Sequence, residues 1–165
     1  WRMYMSGKSS ANKDEPELFE YKEKKTYTLP EFKQHNVEDA YDEIEYLGFP
    51  ITLSYFNLLK TKFRGELYVN ELLDNVGKKV RLVGQLVTIK YVRTVKKDIM
   101  NFATFIDSKG EFFDTVHFPD SLKRYPFRGD GVYLLLGKIV EEFGYPSIEV
   151  EKMAKLEIIK DPRED

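Results

Sequence analysis

Between Lys78 and Lys97 the chain carries seven cations, Lys78, Lys79, Arg81, Lys90, Arg93, Lys96 and Lys97, and no acid. Long cationic side chains are what a phosphate backbone requires, and Lys90, Arg93, Lys96 and Lys97 crowd the second half of the run. Rings supply the complementary chemistry, because every base presents a face on which an aromatic side chain stacks. The chain holds 12 Phe, 11 Tyr and 1 Trp in 165 residues. Phe102, Phe113 and His117 follow the basic run in segments of alternating polarity, and Tyr145 sits in a later turn. Lysine-rich hairpin tips also discourage edge pairing, and rings in a small domain also fill cores, so the elements that place these residues decide between the roles.

Other chemistries find no support in the residue types. The absence of cysteine excludes a disulfide scaffold, thiolate catalysis and cysteine-ligated zinc. With only His35 and His117 and no Ser-His-Asp spacing, no catalytic residue, metal site or cofactor is assigned. Gly7-Lys8-Ser9 lacks the glycine that a phosphate-binding loop needs at position 2, which is Arg2. Arg128-Gly129-Asp130 reads as a turn before a strand. No run approaches the ~18 apolar residues that span a bilayer, so no membrane partner is expected. Net charge of −2 says little, but its distribution is uneven: from Ala11 to Leu47 eleven acids oppose five lysines. The acids of Glu38 to Glu45 are expected on the solvated face of a helix.

Three regions follow from the periodicity. Residues 1–36 lack a sustained period and read as an extended or disordered lead-in, with Tyr21 to Leu29 a candidate short strand. The chain starts at Trp1 with no secretory leader, which reads as a piece of a longer polypeptide. Residues 37–76 read as a helical connector. Asn36 caps a helix with Asp39 at its third position, Ala40, Ile44 and Leu47 form one stripe, and Gly48-Phe49-Pro50 ends it. A second short helix is expected from Ser54, using Tyr55, Leu58 and Leu59, and a third turn over Glu71 to Asn75, capped by Asn70 and closed by Gly77.

Residues 77–160 change to a strand period. Val80 to Val95 is one long strand with Gly84 as its bulge or bend. Met100 to Asp107 and Phe112 to Phe118 are joined by a hairpin loop containing Gly110. A short helix over Pro119 to Tyr125 precedes strands at Gly131 to Val140 and Ile148 to Ile159, joined by the turn Phe143 to Pro146. Alternation puts Phe113, Thr115 and His117 on an outward face and Phe112, Val116 and Phe118 inward, with Asp114 breaking that pattern. Five strands with a helix between the third and fourth predict a mainly β fold with an α connector, a five-stranded OB-fold barrel preceded by short helices. In that fold the loops after strands one and four flank the face of strands two and three. Lys90, Arg93, Lys96, Lys97, Phe102, Phe113, His117 and Tyr145 are then the expected nucleic-acid-binding residues.

The stretches GKKVRLVGQ from Gly77, MNFATFIDSKGEFFDTVHFP from Met100 and LGKI from Leu136 resemble the C-terminal OB module of the bacterial DNA polymerase III alpha subunit. DEIEYLGFPI from Asp42 is similar to the helical connector that precedes that module, so the resemblance covers roughly Glu38 to Met153. It implies a cytoplasmic role in DNA replication, with single-stranded template DNA, the rest of the polymerase chain and replisome subunits as partners. In that family the loop between strands one and two supplies cations, and Arg93, Lys96 and Lys97 match it here, while Asp98 stands where related loops often carry glycine. The family's metal-binding catalytic aspartates lie upstream of the OB module. The resemblance therefore implies a nucleotidyltransferase as the parent chain and no polymerisation by this part alone. Two further readings remain open. One is a barrel that docks proteins through its acidic helices and Tyr55, Phe56 and Phe63; the other is a tRNA-anticodon-binding OB domain.

Overall fold

The computed structural model describes residues 26–28, 35–93, 95 and 98–164, and those from His35 onward belong to one compact unit. The lead-in over residues 1–36 and the candidate strand over Tyr21 to Leu29 fall almost wholly outside the described residues. Helix α1, Glu38–Leu47, buries Ala40 and ends where Gly48 turns left-handed, its N–H bonding to Ile44 O at 3.0 Å. Its N-cap is Val37, with no side-chain cap, so the Asn36 cap is corrected. Two one-turn 3₁₀ segments, Val69–Glu71 and Leu73–Asn75, replace the third helical turn. The cap there is Glu71, whose carboxylate accepts from Tyr68 N at 2.8 Å, rather than Asn70.

No helix forms at Ser54. Residues 55–58 make a turn, and Leu59 pairs with Ile158 in an isolated antiparallel bridge. Leu58 and Leu59 are both buried, and the bridge to Ile158 holds Leu59 in an extended conformation that a helix could not share. The connector is instead tied down by Arg64, which donates to Phe56 O at 2.5 Å and Thr61 O at 2.6 Å.

The strands are β1, Lys79–Arg93; β2, Ile99–Ile106; β3, Phe112–His117; β4, Val132–Glu142; and β5, Tyr145–Lys155. Helix α2, Pro119–Arg124, lies between β3 and β4 with proline in its first turn, where a missing N–H costs nothing. The strands close in the order β1-β2-β3-β5-β4, with β3 and β5 parallel and the other pairs antiparallel. This strand order with its interposed helix is the OB-fold barrel. The long β1 serves both neighbours, pairing β4 with its first half and β2 with its second. Its bulge lies between Leu86 and Thr88 rather than at Gly84. Gly84 serves packing instead, because a Cβ there would stand 2.7 Å from Phe113 Cζ and 2.9 Å from Phe105 Cβ.

The barrel is filled from both ends of the alternation. Leu82, Ala103, Phe105, Phe113, Leu135, Ile139, Ile148 and Val150 point inward. Phe105 stacks on Phe113 at 5.7 Å, and Tyr133 meets Phe105 edge-on at 6.1 Å. Tyr133 keeps its hydroxyl satisfied by accepting from Arg128 N at 2.8 Å and donating to Gly129 O at 2.6 Å. The β2–β3 hairpin is pinned by Asp107, whose carboxylate accepts from Lys109 N and Glu111 N.

Candidate nucleic-acid interface

Register fixes which side chains share the outer face of β1, β2 and β3. Lys90 pairs with Phe102, and Phe102 with Val116, whose β5 partner is Glu149. One row across four strands therefore runs from a cation through a ring and an aliphatic to an acid. The next row is Thr88, Thr104, Asp114 and Ser147, in which Thr104 donates to Asp114 at 2.6 Å. Phe102 keeps 42% of its surface and Phe112 60%, both on this outer side, and Phe118 is exposed just beyond the end of β3.

The outward set on β3 is thus the opposite of the one expected from sequence. Phe113 and His117 face the barrel interior with Thr115, all three buried, so neither ring has a face free for a base. The physical reason is packing: Phe113 fills the space left by Gly84, and His117 lies against Phe127 at 4.7 Å. His117 Nε2 stands 2.9 Å from the Thr115 hydroxyl, which itself donates to Ala103 O at 2.9 Å. Burial pushes the imidazole down to about 4, so it is neutral near pH 7. Asp114, already at odds with the expected pattern, carried the correct signal, since an exposed acid marks the solvent side and shares its parity with Phe112 and Phe118.

The cations divide in two. Within the basic run, Lys79 pairs with Glu151 at 2.7 Å and Arg81 with Glu66 at 2.7 Å, while Lys78 donates to Asn75. Glu66 also accepts from the Arg81 backbone, and these contacts hold its carboxyl below the usual range. Lys90 and Arg93 are exposed and, among the described residues, have no ion-pair partner. Arg93 stands opposite Ile99 at the end of the β1–β2 pair. Lys96 and Lys97 lie outside the described residues. On the far side of that loop Asp98 meets Lys123 at 3.5 Å.

Tyr145, 78% exposed, opens β5. It precedes Ser147 by two residues, as Phe112 precedes Ser147's partner Asp114, so the parallel register brings Tyr145 and Phe112 to one end of the face. The β4–β5 turn is tighter than expected, with only Phe143 and Gly144 between the strands, at φ 53° and 82°. A type I′ hairpin needs such angles, and a phenylalanine accepts them at a cost that asparagine would not bear. The Phe143 ring is fully exposed at that tip. Arg93 at one end, Lys90 beside Phe102 in the middle, and Phe112 and Tyr145 at the other end make a track that a flexible strand of phosphates and bases can follow.

No protein-family model matches the chain, and no curated protein matches it. Among solved structures it is similar to OBody AM1L10 bound to hen egg-white lysozyme, at 14% identity and TM-score 0.44, over 62% of this chain and 98% of that one. It is also similar to the mitochondrial single-stranded DNA binding protein Rim1 of S. cerevisiae, at 10% identity and TM-score 0.36, over 52% and 98% of the two chains. A third likeness is to the second OB-fold domain of replication protein A from Methanococcus maripaludis, at 12% identity and TM-score 0.32, over 53% and 87%. The assignment of this chain to the OB fold rests on its own strand order and closure.

Proposed function

We propose that this chain is a single-strand-binding OB module, and that the strand lies across the outer face of β1, β2 and β3. The observation that carries the reading is the row in which Lys90, without an ion-pair partner among the described residues, stands beside exposed Phe102, with the exposed rings of Phe112 and Phe118 toward the two ends of the same face. Lys90 and Arg93 take phosphates, while Phe102, Phe112 and, past the β4–β5 turn, Tyr145 take bases. The sequence resemblance adds the finer reading: the OB portion of a DNA polymerase III alpha subunit that guides template in the cytoplasm and leaves catalysis to the rest of a longer chain.

A second reading is favoured by one observation. Tyr46, Leu47, Phe49 and Ile51 form an exposed apolar run at the end of α1 and just beyond it, and suit docking onto another part of the polymerase or a replisome subunit. Of the rings first considered for docking, Phe56 is buried against Val83 and Val132, and Phe63 lies under Arg81 at 5.4 Å. The deciding experiment is fluorescence anisotropy with labelled oligo(dT), duplex DNA and structured RNA across a salt series. Oligo(dT) is expected to bind with a micromolar or weaker Kd and a log–log salt slope of roughly −2 to −4. Absence of binding at low salt, or preference for the duplex or for the structured RNA, overturns the proposal.

A further inference from the structure

The two ends of the β4–β5 hairpin carry features that the strand track does not use. At the closed end, the turn residue Phe143 is fully exposed and holds φ at 53°, a left-handed conformation that a bulky side chain adopts only at a cost. Glu141 and Glu142 precede it, both exposed and without an ion-pair partner among the described residues. Phe143 lies past Tyr145, beyond the end of the track, and the neighbouring carboxylates repel phosphates. At the open end, where β4 starts and β5 finishes against the connector, lies a pocket of about 620 Å³. Tyr55, Val132, Leu156 and Ile158 supply its apolar lining. Of its charged groups, Lys60 and Glu157 neutralise each other at 2.8 Å. Arg128, Lys155 and Lys160 remain against one acid, Asp130, and none of these four has an ion-pair partner among the described residues. Lys155 is held in place: a Cβ on Gly131 would stand 2.7 Å from its Cε, and its ammonium donates to Arg128 O at 3.3 Å.

We propose that Phe143 of one copy seats in this pocket of a second copy, so that the chain associates head to tail. The proposal goes beyond the single-strand reading and does not rest on it. The two surfaces match in kind: an exposed ring meets an apolar lining, and two carboxylates meet a pocket with two cations in excess. Ammonium and guanidinium groups around the ring add attraction to its face. A chain cannot fill its own pocket, because the eleven-residue strands set the turn roughly 30 Å from the open end of the hairpin. Each added copy leaves one turn and one pocket free, which makes the contact heterologous and open to further addition. One ring and its flanking charges cover far less than the ~1,200 Å² of a stable interface, so the association is weak and transient.

Sedimentation velocity of the 165-residue chain tests this. The concentration series runs up to about 1 mM, the affinity range that so small a contact reaches. The weight-average sedimentation coefficient is expected to rise with concentration, and added salt should reduce the rise. Phe143→Asn removes the ring and suits the left-handed turn, so it should abolish the rise while raising the Tm. Arg128→Glu with Lys155→Glu, both exposed changes, should abolish it too. A mixture of the two variants contains one intact turn and one intact pocket, so it should form one-to-one dimers and nothing larger. A wild type that stays monomeric overturns the proposal, and weaker oligo(dT) binding by the charge-reversed variant would then give the pocket to phosphates. Association that survives either variant overturns it as well, moving the contact to another surface. Variants that are each monomeric but fail to pair when mixed overturn the head-to-tail arrangement.

Discussion

Phe102 and Phe113 are the same residue type on adjacent strands, one keeping 42% of its surface and the other 4%. Truncating them therefore has opposite consequences. Phe102→Ala removes a stacking surface and should weaken oligo(dT) binding by about 1–3 kcal/mol, with a stability change under about 1 kcal/mol. Phe113→Ala empties the space beside Gly84 and Phe105 and should cost about 3–5 kcal/mol of stability in urea unfolding. Loss of binding without loss of fold in the Phe113 variant would refute the inward placement. His117 carries a second residue-scale expectation. Unfolded, its imidazole takes a proton near pH 6.5; folded, only near 4. Between those values the unfolded chain binds more protons, so stability present above pH 6.5 is lost on acidification, on the order of 3 kcal/mol by pH 4. His117→Gln keeps an N–H for Thr115 but cannot titrate. The wild type should therefore lose ground to it as pH falls from 7 to 4, and a constant difference between the two would refute the buried neutral ring.

At the scale of elements, two glycines hold the barrel closed for different reasons. At Gly84 a Cβ would meet side chains, Phe113 Cζ and Phe105 Cβ, which can shift; at Gly137 it would meet the backbone, 2.4 Å from Glu149 O, where β4 and β5 change register. Gly84→Ala should cost about 1–3 kcal/mol, and Gly137→Ala more than that, because backbone has no rotamer to give. Thermal unfolding of the two variants settles the order, and equal costs would contradict the close β4–β5 approach. All five strands and the β3–β4 helix were legible in the sequence because their alternation and punctuation are local properties. The face of β3 was not, since Phe112 and Phe113 are adjacent and equally apolar; Asp114 was the one local clue, and the close approach of Phe113 to Gly84 is what seats that ring inside. The expected Ser54 helix failed for a similar reason: Leu59 is claimed by Ile158, ninety-nine residues away, and a local period cannot register that. The candidate site was legible in part: Lys90, Arg93, Phe102 and Tyr145 were singled out by residue type and position, and all four are exposed in the fold, whereas Phe113 and His117 were singled out the same way and are buried.

For the whole molecule, the basic run is one block in sequence and two populations in space. Lys79 and Arg81 are held by Glu151 and Glu66 and add nothing to an external field beyond what those acids cancel, while Lys90 and Arg93 stand unpaired among the described residues. The acidic α1 is anchored elsewhere, through Arg163 on Asp42 at 2.6 Å and the Tyr41 hydroxyl donating to Ile159 O. If phosphates follow the unpaired cations, each contact contributes about −0.7 to the salt slope for a single strand, so Lys90→Ala with Arg93→Ala should flatten the slope for oligo(dT) by about 1.4. Lys79→Ala with Arg81→Ala removes the same formal charge from the same run. It should leave the slope unchanged and alter stability by no more than about 1 kcal/mol per exposed pair. Equal flattening by both double variants would mean that the strand senses net charge alone, and the outer face of β1 would lose its claim to the phosphates. Flattening confined to Lys90 and Arg93 would instead tie binding to the register that sets Lys90 beside Phe102, a local arrangement that net charge does not reveal.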